Sequence, residues 1–195
     1  MYKLDIDDPN KLFFTSDTHF SHFNICKYCH RPFNSRSEMD KTLIDNWNSV
    51  VPKDGIVIHC GDFMLNHKVD TNSYLRYMKK LTGNILLIRG NHDYISLCTE
   101  PQENLIAVVD KAFIMVDGVK IYAEHYPCCA FNGDYQVFGH IHTLSDGTCY
   151  GIDGDVPSRL RKNQYDVGVD QNGYRPISYW ELCDIFRNKA CEKIK

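Results

Sequence analysis

The sequence lacks three features that would each point to a particular class of protein. No apolar run approaches the ~20 residues that a bilayer-spanning helix needs. The 22 lysines and arginines form no long cluster, and the formal net charge is −3, so a nucleic-acid backbone is not an evident partner. The opening residues, MYKLDIDDPN, are acidic and polar, unlike an export signal. We therefore expect a cytoplasmic protein with neither a membrane nor a nucleic acid as its partner.

Internal repeats, low-complexity tracts and domain linkers are also absent. The chain has 195 residues, of which 43% are hydrophobic and 24% charged. This composition is typical of a globular protein, and the length is sufficient for a substantial hydrophobic core. We therefore predict one domain over residues 1–195.

Cysteine is plentiful but is not arranged as a disulfide framework. There are nine cysteines, an odd number, and without an export signal they are expected to be reduced. The stretch CKYCH, from Cys26 to His30, matches the pattern for c-type haem attachment, a chemistry of exported proteins. A structural zinc would need two further ligands, for which Cys128 and Cys129 are the paired candidates. Buried or incidental thiols are the simpler interpretation, and we favour it.

In the first half of the chain, short apolar runs end repeatedly in polar clusters. The runs Leu12 to Phe14, Ile56 to Ile58 and Ile85 to Ile88 are predicted strands. Between them, Ser35–Asn48 and Val69–Leu81 have the apolar spacing of helices. This alternation predicts a parallel sheet, which binds ligands beyond the carboxyl ends of its strands. Five polar side chains fall at that edge: Asp17, His19, Asp62, Asn91 and His92.

The second half is richer in strand and turn signals. Strand-like runs flank Asp117-Gly118, a strong hairpin signal, and YQVFGHIH and YDVGVD suggest further strands. PISYWELCDIF predicts a final helix with Pro176 near its start; its inward-facing residues are Leu182, Ile185 and Phe186. We expect a hairpin or a long loop over Thr143–Gln164, and turn residues explain its Asp153–Asp155 better than a calcium loop does.

The histidines carry the strongest chemical signal. Six of the nine histidines lie in the polar clusters: His19, His22, His92, His125, His140 and His142. Imidazole, carboxylate and amide groups without thiolate suit divalent manganese, iron, nickel or zinc. In DTH and HIH, one intervening residue places both side chains on the same face of a strand, so both can turn toward one metal ion.

Five short motifs follow one another along the chain. They are Asp17-Thr18-His19, Gly61-Asp62, Gly90-Asn91-His92-Asp93, His125, and Gly139-His140-Ile141-His142. In this order, from about Phe13 to about Asp170, they resemble the calcineurin-like metallophosphoesterase superfamily, with GNHD the most distinctive. The opening SDTHFSHFNI and the RPF at Arg31 to Phe33 resemble a compact, single-domain branch of bacteria and phages. The resemblance implies an α/β fold in which two mixed β-sheets pack face to face and are flanked by helices, an αββα sandwich.

The resemblance also implies a metal-dependent phosphoric ester hydrolase with two divalent ions. The implied ligands form three sets: Asp17, His19 and His142 for one ion, Asn91, His125 and His140 for the other, and Asp62 as a bridge. Manganese is the expected metal, with iron, nickel or zinc as alternatives. His125, in AEHYP, is the weakest match, and its alternative is a half-buried strand residue.

The implied reaction is in-line attack on phosphorus by a hydroxide that bridges the metals, with His92 as proton donor. We expect Asp93 to hydrogen-bond the imidazole of His92 and to raise its pKa. A small domain without an evident large cap suggests an open site, which slightly favours a phosphodiesterase on a small, nucleotide-like substrate. The alternatives are a phosphomonoesterase (a phosphatase) and a non-catalytic metal-binding scaffold of the same fold.

Several polar residues near these motifs have less specific interpretations. His22 and Asn24 follow the first motif and are predicted to bind substrate, with a hydrogen-bonded loop as the alternative. Arg89 is predicted to form a surface ion pair. The other three histidines are expected to be structural: His30, His59 and His67.

Overall fold

The short apolar runs of the sequence become the strands of two sheets. The computed structural model describes residues 1–65, 71–93, 103–149 and 160–191. The strands are β1 (Tyr2–Ile6), β2 (Leu12–Thr15), β3 (Ile56–His59), β4 (Asn84–Ile88), β5 (Leu105–Val109), β6 (Lys111–Val116), β7 (Val119–Glu124), β8 (Tyr135–Phe138), β9 (Gln164–Asp166) and β10 (Ile177–Ser178). The helices are α1 (Ile25–Tyr28), α2 (Arg36–Val50), α3 (Thr71–Met78) and α4 (Tyr179–Cys191).

The strands form two five-stranded mixed sheets. The first has the order β10-β2-β3-β4-β5, and the second has the order β1-β6-β7-β8-β9. In the first sheet β2 to β5 are parallel, as predicted, and β10 runs antiparallel to β2. In the second sheet β6 and β7 form an antiparallel pair, and the other neighbours are parallel. The predicted α/β architecture of two mixed sheets flanked by helices is confirmed.

The central strands of the first sheet are buried on both faces, which explains their almost continuous apolar character. Side chains alternate between the faces of a strand. Phe13 therefore packs in a cluster with Met39 and Trp47 of α2. Its neighbour Phe14 packs instead with Ile114 of the second sheet. One core lies between the sheets, and a second lies between the first sheet and its helices.

Helix α2 begins where the sequence predicts. Ser35 is its N-cap, and the Ser35 side chain accepts a hydrogen bond of 3.1 Å from the backbone N–H of Glu38. Met39, Leu43 and Trp47 are buried on its inner face. The helix ends at Val50, two residues beyond the predicted end.

Helix α3 confirms the central part of the predicted Val69–Leu81 segment. Tyr74 and Met78 are buried on its inner face, whereas Leu75 is only half-buried. Val69 lies outside the described residues.

The hairpin predicted at Asp117-Gly118 joins β6 and β7. Both residues have positive φ, 51° and 75°, as a two-residue type I′ turn requires.

The expectation that Pro176 lies near the start of the last helix is wrong. Ile177 and Ser178 pair with Phe14 and Phe13 as strand β10, and α4 begins only at Tyr179. Pairing with the sheet edge holds these residues extended, which a helix would not allow. Leu182 and Phe186 are buried and Ile185 is partly buried, so the inner face of the helix is as predicted.

The long segment after Thr143 contains an isolated antiparallel bridge between Thr143 and Cys149. The predicted turn at Asp153–Asp155 lies outside the described residues, as does His67. Within the described parts of the chain, none of the helices has the length and apolar character to cross a membrane.

We predict that Ser35→Ala lowers the free energy of unfolding by about 1 kcal/mol, because an N-cap oxygen satisfies a backbone N–H that no residue of the helix can. The matched control is Ser49→Ala in the same helix, where the serine hydroxyl donates to the Asn46 carbonyl. This control should change stability by less than about 0.5 kcal/mol. Urea unfolding of the two variants measures the difference, and equal losses would contradict the capping role.

Candidate metal centre

The ends of five strands meet at one edge of the sandwich. Asp17 follows β2, Asp62 follows β3 and Asn91 follows β4, while His125 and His140 follow β7 and β8 of the second sheet. Backbone hydrogen bonds join these turns directly: the Asp17 N–H donates to the Gly61 carbonyl over 2.9 Å. The structure thereby brings all seven predicted metal ligands into one region.

Five of the predicted ligands have left-handed backbone, which residues with a side chain rarely adopt. Their φ angles are 54° at Asp17, 50° at His19, 53° at Asp62, 73° at His140 and 47° at His142. Such conformations cluster at functional sites, where the surrounding structure holds them. The strain indicates that these turns serve to point the ligand side chains in a particular direction.

The glycines of the motifs allow the turns to approach closely. A Cβ atom at Gly90 would overlap the carboxylate and the backbone nitrogen of Asp62. A Cβ atom at Gly139 would overlap the carboxylate of Asp17 and the side chain of Ser16. Any side chain at either position would collide with the neighbouring turn, so both positions require glycine.

The first cluster consists of Asp17, His19 and His142, each of which offers a ligand atom within 4.8 Å of the others. The Nε2 atom of His19 is buried and has no hydrogen-bond partner among the described residues. The Nε2 atom of His142 lies 3.8 Å from Oδ1 of Asp17, which is too far for a hydrogen bond. Buried nitrogens of this kind need a partner, and a cation among these three groups would supply it.

The second cluster consists of Asp62, His125 and His140, whose ligand atoms also lie within 4.8 Å of one another. Nδ1 of His125 donates to the Cys60 carbonyl over 2.8 Å, so in the neutral ring Nε2 carries a lone pair. That Nε2 lies 3.1 Å from Oδ1 of Asn91. Both atoms are electron-pair donors, so a cation shared between them would satisfy both. The family resemblance of the sequence likewise implies that Asn91 is a metal ligand.

Asp62 lies between the two clusters. Its Oδ2 is 3.6 Å from Nε2 of His19 and 3.6 Å from Nε2 of His125. Its Oδ1 accepts a hydrogen bond of 2.9 Å from the backbone N–H of His92. This position suits a carboxylate that bridges two ions.

Against the effect of burial, the charge of Asp17 and the hydrogen bond to Asp170 raise the pKa of His142 well above its usual value. Burial dominates the electrostatics of Asp62, His19 and His140. It raises the pKa of Asp62 to about 7, although the nearby His125 opposes the shift. It also lowers the pKa of His140 to about 4, with a smaller contribution from His125, and lowers the pKa of His19 well below its usual value. Neutral imidazole is the form that binds metal, and a divalent cation would compensate the buried carboxylates. The donor set therefore fits divalent metal ions.

The predicted hydrogen bond between Asp93 and the imidazole of His92 is wrong. The buried carboxylate of Asp93 accepts from the backbone N–H groups of Asp62, Phe63 and Gly90, at 2.8, 3.0 and 2.9 Å, and from the Tyr74 hydroxyl. Four donors occupy both of its oxygens. Asp93 thus holds the turns together instead of orienting an acid.

The predicted rise in the pKa of His92 is also wrong for this structure. Burial lowers that pKa, and the opposing charge of Asp93 is the smaller influence. The His92 side chain is 37% exposed, and its Nε2 lies 3.9 Å from Oδ2 of Asp62. The imidazole therefore faces the open side of the site.

A cavity of about 460 Å³ lies over the two clusters. Besides five of the predicted ligands and His92, it is lined by His22, by Cys29 and by an apolar wall of Ile25, Tyr28 and Leu65. Nδ1 of His22 lies 3.3 Å from Nδ1 of His19, so His22 reaches the site, while its substrate-binding role stays a prediction. Asn24 is exposed and is not among the described residues that line this cavity; its carbonyl accepts the first hydrogen bonds of α1. The loop interpretation fits Asn24 better.

His59 and Arg89, which are not among the predicted metal ligands, form structural contacts. His59 is buried and its Nε2 donates to the Thr18 hydroxyl over 3.0 Å, while burial lowers its pKa to about 3. Arg89 forms the predicted ion pair, with Asp110 at 2.9 Å.

The paired thiols of the haem-like motif fit the simpler interpretation. Cys26 and Cys29 are both buried in the core beside α2. Cys129 is exposed, and neither it nor Cys128 belongs to a candidate metal group of the described residues.

Sequence reasoning assigned no role to two residues that contact the site, Arg31 and Asp170. Their side chains form a buried ion pair across 139 positions of sequence. The RPF motif marks Arg31, but no local pattern predicts a partner so far along the chain.

Two mixed sheets with paired Asp and His clusters at their strand ends form the arrangement typical of metallophosphoesterases. Residues 11–120 match the model of the calcineurin-like phosphoesterase family, and the chain belongs to that family. Membership implies divalent metal ions, for which the two clusters are the candidate sites. The matched segment includes the first three motifs, while His125, His140 and His142 lie beyond it.

Three other proteins are similar to the chain to different degrees. The chain is 49% identical over 171 residues to the uncharacterised protein MJ1445 of Methanocaldococcus jannaschii, covering 86% of each chain. It superposes on AQ665, a protein of unknown function from Aquifex aeolicus, with a TM-score of 0.67 and 27% identity over 89% of this chain and 98% of that one. An archaeal phosphodiesterase gives a TM-score of only 0.39 and 19% identity over 68% of this chain and 74% of that one, which is too low to carry an argument.

We predict that Asp62→Asn weakens Mn²⁺ binding at both clusters, because Asp62 is the carboxylate within reach of each. His142→Ala should weaken binding at the first cluster alone. Metal analysis after dialysis against Mn²⁺ gives the ions retained per chain, with Asp110→Asn as the control for the same chemical change at the surface. Full retention of two ions by Asp62→Asn would count against the bridging position.

Proposed function

We propose that this chain is a phosphoric ester hydrolase that uses two divalent metal ions, with manganese the expected metal. The single observation that carries the proposal is the position of Asp62, whose Oδ2 is 3.6 Å from an imidazole nitrogen of each cluster. Family membership supports the same conclusion. One ion would be held by the first cluster, and the other by the second cluster with Asn91.

The charge of the proposed centre suits a phosphate ester. Asp17 and Asp62 are the anionic ligands, and the His and Asn ligands are neutral, so two divalent ions would leave a net positive charge. When bound, the ions would lower the pKa of a water molecule and offset charge on the phosphate oxygens. The carboxylate of Asp17 is held in place for metal binding by two hydrogen bonds. The donors are Ser16 Oγ at 2.6 Å and the His140 backbone N–H at 3.0 Å.

His92 is the proposed proton donor to the leaving group. Its imidazole lines the cavity and is neither part of the two clusters nor committed to Asp93. The negative charge of a bound phosphate ester would raise the pKa of His92 and oppose the effect of burial. The ring is therefore placed to act once a substrate is bound.

A phosphodiester is the favoured substrate class. The cavity of about 460 Å³ falls within the range of ligand pockets, about 300–1,000 Å³, and has room for organic groups as well as phosphate. Its apolar wall of Ile25, Tyr28 and Leu65 offers a surface for one ester group, such as a nucleotide base, while the open side admits the other.

We predict that Mn²⁺-loaded protein hydrolyses bis(p-nitrophenyl) phosphate faster than p-nitrophenyl phosphate. His92→Ala should keep its bound metal and lose rate by about 10²–10⁴-fold, the usual contribution of a general acid. Release of p-nitrophenol, followed beside metal analysis of the same samples, measures both quantities.

The control variant is His30→Ala, which removes an exposed imidazole outside the cavity and should keep the full rate. A faster monoester would assign the chain as a phosphatase. Two retained ions without turnover of either ester would support a metal-binding scaffold. Unchanged turnover by His92→Ala would refute the proton-donor role.

A further inference from the structure

Arg31 is a fully buried arginine whose donors converge on the first cluster. Its Nε and Nη2 hold both oxygens of Asp170, at 2.7 and 3.0 Å. Its Nη1 donates to the carbonyl of Thr18 at 3.1 Å, and Nη2 also donates to the carbonyl of Asp17 at 2.7 Å. A planar guanidinium can make such a fork, whereas a lysine ammonium cannot.

The two carbonyls belong to the turn that carries two of the three groups in the first cluster. Asp17 and His19 flank Thr18, and both have left-handed backbone. A conformation that residues with side chains avoid persists only where neighbouring groups hold it. Arg31 is one such support, because it binds the carbonyls on both peptide units between these two residues.

Asp170 extends the same network to the third member of the cluster. Its Oδ2 accepts a hydrogen bond of 2.9 Å from Nδ1 of His142. In the neutral ring this bond places the proton on Nδ1 and leaves the lone pair on Nε2, the atom that faces Asp17. A carboxylate in this position fixes the ring and increases its basicity toward a metal.

A different role for Asp170 fits less well. Asp170, His142 and Cys29 also offer ligand atoms within 4.8 Å of one another, which could form a third metal site. However, both carboxylate oxygens of Asp170 already bind the Arg31 guanidinium. A cation there would lie against a buried positive charge, so the ion pair disfavours a metal at this position.

The second cluster has separate supports. His125 is held by the Cys60 carbonyl, and Asp62 lies on a turn held by Asp93. Among the described residues, neither Arg31 nor Asp170 forms a hydrogen bond or an ion pair with His125 or Asp62. Loss of the ion pair should therefore affect one cluster selectively.

We propose that Arg31 and Asp170 are positioning residues that prepare Asp17, His19 and His142 to bind one of the two metal ions. The proposal rests on the metal-dependent function proposed above. It goes beyond the ligand set by assigning a role to the RPF arginine and to the aspartate at the end of VGVD.

The test measures metal binding and does not depend on turnover. Mn²⁺ is titrated calorimetrically into metal-stripped wild-type protein, Arg31→Lys and Asp170→Asn, with His142→Ala as the reference for a damaged first cluster. We expect each variant to lose about 10–100-fold in affinity for one ion, as is usual for groups that orient a metal ligand, and to bind the other ion like wild type. At an Mn²⁺ concentration that just fills both wild-type sites, wild-type protein should give the electron paramagnetic resonance signal of a coupled pair, and the variants that of an isolated ion.

Stability is controlled separately, because Asp170→Asn leaves a buried guanidinium without its counter-charge. Arg31→Lys keeps the positive charge and tests the proposal even if Asp170→Asn does not fold. Val116→Ala creates a core defect at the opposite end of the second sheet, beside the β6–β7 hairpin, and should retain both ions despite a comparable loss of thermal stability.

Two outcomes would overturn the positioning roles. One is folded Arg31→Lys that binds two Mn²⁺ ions with wild-type affinity. The other is a loss of metal from Val116→Ala as large as that from Arg31→Lys and Asp170→Asn. General destabilisation would then explain the weaker metal binding of all three variants. Wild-type protein that takes up no Mn²⁺ would contradict the proposed function, and the positioning roles with it, so the two failures are distinguishable.

Discussion

The geometry of the site depends on one buried carboxylate, that of Asp93. It accepts hydrogen bonds from the backbone N–H groups of Asp62, Phe63 and Gly90 and from the Tyr74 hydroxyl. It thereby joins the turn after β3, the turn after β4 and helix α3. Because Asp62 and Asn91 lie on those turns, their separation is fixed by the protein before any ligand binds. Without the carboxylate, three backbone donors at the centre of the site would lack partners, a costly arrangement for buried groups.

The two halves of the site, one around each cluster, are supported by different charged groups. Asp93 organises the turns that support the second cluster, whereas the pair of Arg31 and Asp170 connects the turn after β2 to His142 of the first cluster. Asp62 is the ligand candidate common to both halves, since its Oδ2 is equally distant from His19 and His125. Backbone hydrogen bonds from Asp17 and His19 to the turn after β3 connect the two halves. Rigid support of this kind is what a site needs to bind ligands without reorganisation.

Much of the fold and the identity of the clustered side chains could be predicted from the sequence. Apolar runs such as Ile85 to Ile88 form strands because they are buried on both faces, and polar residues just after them lie at the carboxyl edge of a parallel sheet. The orientation of Asp93 could not be predicted, since two of its partners are backbone N–H groups of a turn about thirty positions away. That turn comes close because Gly90 has no side chain. The short strand before α4 was missed because Ile177 and Ser178 are held extended by Phe14 and Phe13, which no local pattern indicates. The pairing of Arg31 with Asp170 is a long-range contact of the same kind.

The burial that shapes the site also favours the binding of cations there. In a poorly hydrated environment a carboxylate resists ionisation and an imidazole resists protonation, and the pKa of Asp62, raised to about 7, and that of His140, lowered to about 4, follow this rule. The neutral rings of His19 and His140 then present lone pairs toward carboxylates that need a positive charge. A cation that binds the folded chain and not the unfolded one also stabilises the fold. The strained turns and the buried carboxylates are therefore unfavourable features in isolation. A bound cation would compensate the negative charge that the carboxylates concentrate at this edge of the sandwich.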